Sequence, residues 1–207
     1  MKQCEANLII TLGLIAHHRG NGEQARDYFE EAFELAEQHD LEGEKYSYYN
    51  NIGIIDISDR NYESAIKNFR TALKIAANID DIKTHNTLHN IALCYNNIGN
   101  REKALEYYKL SLDERKMLKD TLAMLYSYIN IGVLYMQQDI NDSALHYFDL
   151  SKDAALKIND QRVLGFAAIN MSNIYHTNGE YDKGIESARA AQEAFKVSGN
   201  TSMEQMG

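Results

Sequence analysis

The sequence has no proline, no tryptophan, two cysteines and 12 glycines in 207 residues. Without proline, and without a stretch rich in serine and glycine, nothing reads as a flexible linker, so a single body with no internal domain boundary is expected. Cys4 and Cys94 are too few for a disulfide framework and leave the redox compartment open. Cys94 sits in an apolar stretch, where a thiol behaves as a small buried hydrophobe. Long apolar runs are missing too, so no segment spans a bilayer. The nearest to one, Ala6 to Ala16, has the length of a signal-peptide core. Glu5 and Asn7 interrupt its start and no small-x-small site follows, so it reads as a helix of the fold.

Positive charge is scarce. Lys and Arg number 21 against 30 Asp and Glu, a net charge of -9 with pI near 5.2. That balance opposes the counterion release that drives nucleic-acid binding and excludes DNA and RNA as expected partners. The basic residues are scattered among acids, as on solvated helix faces, and a neutral or basic peptide suits the overall field better. Catalytic motifs are also wanting. There is no Gly-rich phosphate loop, no Gly-x-Ser-x-Gly elbow and no His-Glu-x-x-His, nor a nucleophile paired with a base, so no enzyme and no cofactor are expected. His85 and His89, and likewise His17 and His18, lack the third ligand that a metal needs.

What the sequence does hold is a repeat. Aligned on a small residue, five copies carry Gly13, Gly53, Ala92, Gly132 and Ser172, separated by 40, 39, 40 and 40. Twelve residues on stand Ala25, Ala65, Ala104, Ala144 and Gly184; sixteen on, Phe29, Phe69, Tyr108, Phe148 and Ala188; nineteen on, Ala32, Ala72, Ser111, Ser151 and Ala191. Small residues at fixed offsets let two helix axes approach while the aromatic fills the gap between layers. Each copy therefore reads as helix A, a tight turn and helix B. Most of the 14 tyrosines, such as Tyr95, Tyr135 and Tyr175, fall at packing offsets. The turns fall at Gly20, Arg60, Gly99, Asp139 and Gly179, where glycine fits a left-handed helix terminus and Arg60 and Asp139 predict strain or a different shape.

Asp40, Asp80, Asp120, Asp160 and Asn200 recur at forty-residue steps and are expected to cap each helix A. This divides the chain into repeats at 1–39, 40–79, 80–119, 120–159 and 160–199, with 200–207 opening a further, truncated helix. Because the first helix A lacks such a cap, both ends look internal to a longer array, and the chain reads as a fragment of a larger protein.

The succession Leu12-Gly13, Ala25, Phe29, and likewise Ile91-Ala92, Tyr95, Ala104, Tyr108 and Ile131-Gly132, Tyr135, Ala144, Phe148, resembles the tetratricopeptide repeat. The likeness runs over nearly the whole chain. It departs from the family in its forty-residue period, its lack of tryptophan and the lack of proline ending helix B, and so implies longer helices. Long repeats of this kind resemble those of kinesin light chains, Pins-type polarity scaffolds and bacterial sensor and regulator proteins. The fifth copy, with Ser172, Gly184 and Ala188, is the most eroded and is expected to pack loosely.

The resemblance implies an all-α superhelical solenoid whose A helices line a concave groove that takes an extended peptide. It places the residue two before the small one in that groove: Thr11, Asn51, Asn90, Asn130 and Asn170. Four amides in succession can donate to and accept from a peptide backbone, or tie neighbouring A helices together. Asn50, Asn86, His89, Asn97, Tyr126, Asn173 and His176 are the neighbouring candidates for specificity. The expected function is a non-catalytic protein- or peptide-binding scaffold for signalling, the recognition part of a larger regulatory protein. The alternatives are a self-association or spacer module joined through the array ends, and a receptor for a small signalling peptide. A cytoplasmic location, as part of either a free or a membrane-anchored regulator, goes with these readings.

Overall fold

A computed structural model describes residues 1–79 and 82–204, with side chains described as far as residue 199. Among the described residues there are ten α-helices and no strand. They are α1 (Lys2–His18), α2 (Gly22–Gln38), α3 (Glu42–Ser58), α4 (Tyr62–Ala76), α5 (His85–Asn97), α6 (Arg101–Met117), α7 (Thr121–Met136), α8 (Asn141–Ile158), α9 (Gln161–Thr177) and α10 (Tyr181–Glu204). Odd-numbered helices are the A helices and even-numbered ones the B helices. Two compact units result, Met1–Tyr107 and Tyr108–Gly207, divided within α6.

The first unit is built by bringing bulk against absence of bulk. A Cβ added at Gly13 would lie 2.6 Å from the ring of Phe29, and one at Gly53 would lie 2.6 Å from the ring of Phe69. Both rings are buried, and each contributes about 2–3 kcal/mol by leaving water. Ile52 and Ile55 of α3 pack on Ala25, Phe29 and Ala32 of α2, so the B helix of one repeat covers the A helix of the next. Cys94 is buried on α5, and burial pushes its pKa up to about 12, with the Asp56 charge adding to the effect.

The second unit repeats the device. A Cβ at Gly132 would meet the Phe148 ring at 2.6 Å, and Met171 and Ile174 of α9 pack on Ala144 and Phe148 of α8. Arg115 is buried at the end of α6, where its Nη1 donates to Ser127 Oγ at 2.6 Å and to the Ala123 carbonyl at 3.0 Å, tying α6 to α7. Burial lowers its pKa, against the pull of Asp120 and Glu114.

The fifth repeat is not the loose end that its eroded sequence suggests. Gly165 takes the place that Leu125 holds one repeat earlier, and Phe195 the place of Ala155. Large and small have changed sides, and a Cβ at Gly165 would lie 2.6 Å from the Phe195 ring. Ser172 Oγ also donates to the Gly184 carbonyl at 2.8 Å, across the pair α9 and α10.

Every A-to-B turn has the same backbone. Gly20, Arg60, Gly99, Asp139 and Gly179 have φ of 78°, 60°, 80°, 58° and 78°. Arg60 and Asp139 thus keep the shape and carry the strain of a side chain in the left-handed region. Paired amide bonds close each turn, as from Asn21 N to Ala16 O at 3.0 Å and Gly20 N to His17 O at 2.9 Å, the double bond of a Schellman terminus.

The B-to-A turns correct the capping expectation. Asp120 accepts from Ala123 N and Asp160 from Val163 N, each at 3.0 Å, as N-caps do. Asp40 does not cap. It is itself left-handed, with φ of 52°, and Leu41 stands at the N-cap of α3 without a side-chain bond. The reason is phase: Asp40 lies 27 residues after Gly13 (40 − 13), whereas Asp120 lies 28 after Ala92 (120 − 92) and Asp160 28 after Gly132 (160 − 132). Asp80 falls outside the described residues. Asn200 is interior to α10, which runs unbroken to Glu204, so it begins no helix.

Candidate functional site

In the first unit, α1 packs beside α3 and α3 beside α5, which sets the A-helix positions in successive layers. Asn51 is buried and Asn90 half-buried. Thr11 is exposed, its hydroxyl donating to the Asn7 carbonyl at 2.8 Å. Asn50 accepts at Oδ1 from Thr87 Oγ1 at 2.8 Å, and Thr87 shares a 2.7 Å hydrogen bond with the Tyr46 hydroxyl. That chain of three polar side chains joins α3 to α5, so Asn50 acts as a tie between helices. Asn86 is exposed, His89 half-buried, and Asn97 folds back to give Nδ2 to its own Leu93 carbonyl at 2.8 Å.

In the second unit, α7 packs beside α9. Asn130 and Asn170 are half-buried, and Asn170 Nδ2 donates to the Phe166 carbonyl at 2.7 Å. Tyr126 is exposed on α7. Asn173 and His176 are exposed on α9 and line a cavity of about 320 Å³ together with Ser172, Tyr181, Gly184 and Ile185. The His176 ring tilts against Tyr181 at 5.6 Å.

Two features escape a sequence reading centred on asparagines. The first is Asp56, 4% exposed, which accepts from Arg26 Nη2 at 2.8 Å, Ser64 Oγ at 2.7 Å and Asn68 Nδ2 at 2.9 Å. It joins α2, α3 and α4 in one charged knot. Burial alone would lower the Arg26 pKa, yet its bonds to Asp56 and Asp59 raise it. The signal was there: Asp56 stands three residues after Gly53, where later repeats have Tyr95, Tyr135 and Tyr175. Those tyrosines instead attract cations. Arg70 Nη2 donates to the Tyr95 hydroxyl at 2.8 Å, Lys109 Nζ reaches that of Tyr135 at 3.3 Å, and Lys183 lies over the Tyr175 ring at 5.5 Å.

The second is an exposed apolar set on the second unit, at the positions six and three before the small residue. Phe166 and Ile169 on α9 join Tyr126 on α7 there. Among the described residues, no three of His, Cys, Asp and Glu converge as metal ligands would, and no helix is long and apolar enough to cross a membrane.

Paired helices with glycine opposite phenylalanine and a left-handed turn at a fixed offset define a class, the helical-repeat proteins built from stacked helix-turn-helix units. The chain belongs to the tetratricopeptide repeat family, whose model matches residues 4–78 and 44–117, more than half of its length. Among curated proteins it is 35% identical over 92 residues to the photosystem I assembly protein Ycf3 of Synechococcus sp. strain CC9311, covering 44% of this chain and 48% of that protein. The chain thus spans about half the length of the curated relatives it matches. Among solved structures, BtubC (BKLC) from P. vanneervenii superposes with a TM-score of 0.83 at 20% identity, over 92% of this chain and 80% of that one. A Rap protein complexed with Competence and Sporulation Factor superposes with a TM-score of 0.71 at 19% identity, over 94% of this chain and 54% of that one. At these identities the structures establish the fold, all-α and of the tetratricopeptide solenoid class.

Proposed function

We propose that this chain is a non-catalytic scaffold that binds a protein or peptide along its A helices, as the recognition part of a larger regulatory protein. The observation that carries the reading is the recurrence of one amide at one repeat position: Asn51 and Asn90 in the first unit, Asn130 and Asn170 in the second, all buried or half-buried. A primary amide offers two donors and an acceptor, and withdrawing it from water is costly unless partners meet it. A peptide backbone is such a partner. The Rap protein solved with Competence and Sporulation Factor, and the assembly role in the name of Ycf3, favour a protein or peptide ligand over a small molecule.

The test is the double variant Asn90→Ala/Asn130→Ala, assayed against peptides selected on the unaltered chain from a displayed random library. Loss of binding with an unchanged melting curve is the expected outcome. Unfolding of the variant would make the amides struts of the scaffold and overturn the reading. A receptor for a small signalling peptide is the second reading, favoured by the Rap complex. It predicts a change in small-angle scattering when peptide binds.

A further inference from the structure

Helices α3 and α5 of the first unit and α7 and α9 of the second carry opposite chemistry on equivalent positions, while α1 mixes the two with Asn7 and Ile10. Six and three residues before the small residue, α3 and α5 present Ser47 with Asn50 and Asn86 with His89. At the same positions α7 and α9 present Tyr126 with Ile129 and Phe166 with Ile169. Three of these four are well exposed: Tyr126 38%, Phe166 40% and Ile169 38%. Leu122, one turn before Tyr126, is more exposed still. Large apolar side chains left in water on adjacent helices mark a surface that something covers.

The support beneath this surface is specific. Phe166 meets Phe195 edge to face at 5.4 Å, and Phe195 comes close because Gly165 has no side chain. The inverted large-small pair of the fifth repeat therefore holds the Phe166 ring from behind, and a ring fixed in place loses little entropy when a ligand lands on it.

Charge defines the occupant. Of 30 acidic residues in the chain none lies on α7 or α9, and of 21 basic ones only Arg162 does, with the imidazole of His176 near the far end of α9. Arg162, exposed one turn before Phe166, is the one counter-charge these two helices offer, and a segment with several charges laid on this surface would lose water without finding partners for the rest. An uncharged one loses nothing of the kind, and the half-buried amides of Asn130 and Asn170 stand beside the apolar positions to meet its backbone.

We infer that the α7–α9 face selects an extended, uncharged segment of another protein carrying large aromatic or aliphatic side chains, which seat on Tyr126, Phe166 and Ile169. The inference rests on the reading of the A helices as a peptide-binding surface and adds the class of peptide taken.

The experiment selects random twelve-residue peptides on the intact chain and measures one synthetic winner by fluorescence anisotropy. Winners are expected to carry two or more of Phe, Leu, Ile, Met or Trp and few charges. Binding is expected to weaken at least tenfold in Phe166→Ser/Ile169→Ser and to persist in Asn86→Ala. Because Phe166 touches Phe195, Tyr126→Ser serves as a second variant that leaves that pair alone, with a several-fold loss expected. Charged winners, unaffected by Phe166→Ser/Ile169→Ser and lost in Asn90→Ala/Asn130→Ala, would overturn the inference and leave peptide binding standing. An empty selection would overturn both. A dimer in sedimentation that Phe166→Ser/Ile169→Ser dissociates would make a second copy the occupant, again overturning the inference.

Discussion

The units Met1–Tyr107 and Tyr108–Gly207 share a skeleton and differ in where they place polarity. In the first, polar groups enter the packing: Asp56 with its three donors between α2, α3 and α4, and the chain Tyr46, Thr87, Asn50 between α3 and α5. The second also buries a polar pair, Arg115 on Ser127 between α6 and α7, but at the A-helix positions six and three before the small residue, which are Ser47, Asn50, Asn86 and His89 in α3 and α5, it exposes Tyr126, Phe166 and Ile169. The contrast teaches that the repeat pattern fixes only the contact between helices A and B of a unit and between B and the next A. The remaining face is left open, and each repeat uses it differently.

The largest expected effect tests what the units share. Gly53→Val and Gly132→Val each force a Cβ and its branches into a buried phenylalanine ring, and overpacking of this kind costs about 3 kcal/mol. Urea unfolding is expected to show similar losses for the two. Unequal losses would break the claim of one skeleton. Asp56→Ala comes next, with an expected loss of about 2 kcal/mol, since Ser64 and Asn68 lose their acceptor while Arg26 keeps Asp59. Hydrogen exchange should report that loss in α2, α3 and α4.

Thr87→Val removes both bonds of the tie between α3 and α5, and a loss of about 1 kcal/mol is expected from the melting curve. A neutral result would return Asn50 to the list of ligand contacts. Arg60→Gly and Asp139→Gly relieve a left-handed backbone, one in each unit, and each is expected to add about 0.5 kcal/mol after the entropy of the extra glycine is counted. The smallest effect is chemical. At pH 8 the Cys94 thiol, with its pKa pushed up to about 12, is expected to resist a thiol reagent while exposed Cys4 reacts, so native protein should take up one equivalent and unfolded protein two.

Much of this was legible in the sequence. The offsets of Gly13, Phe29 and their counterparts give the packing of A on B, because a small residue and an aromatic sixteen positions later have one way to meet across a tight turn. Gly20, Gly99 and Gly179 give the turn, and the structure extends its shape to Arg60 and Asp139. The forty-step spacing of the aspartates misled at Asp40, since one interval between small residues is 39 and the aspartates slip by a residue against the packing. Asp56 and Asn50 were not legible in their roles, because their partners come from α2, α4 and α5. Spacing along one helix does not say which side chains a neighbour brings alongside. Gly165 and Phe195 needed comparison between repeats: each is ordinary alone, and only their joint exchange with Leu125 and Ala155 shows the reversal.

Apart from the step of 39 between Arg60 and Gly99 (99 − 60), the left-handed residues Gly20, Asp40, Arg60, Gly99, Lys119, Asp139, Asn159 and Gly179 mark backbone reversals about twenty residues apart, while the side-chain pattern returns only after forty. To its main chain, then, an A helix and a B helix are alike, and only side chains tell them apart. Cutting out Asp120 to Asn159 would join Lys119 to Asp160, one helix start exchanged for another of the same kind, and the shortened protein would still alternate. Cutting out Asp120 to Asp139 would join Lys119 to Ile140, with equally smooth geometry, and set two B helices in succession, leaving Phe148 without the glycine it packs on. Natural length variation in such a chain should therefore come in whole pairs, policed by the aromatic rings and not by the turns.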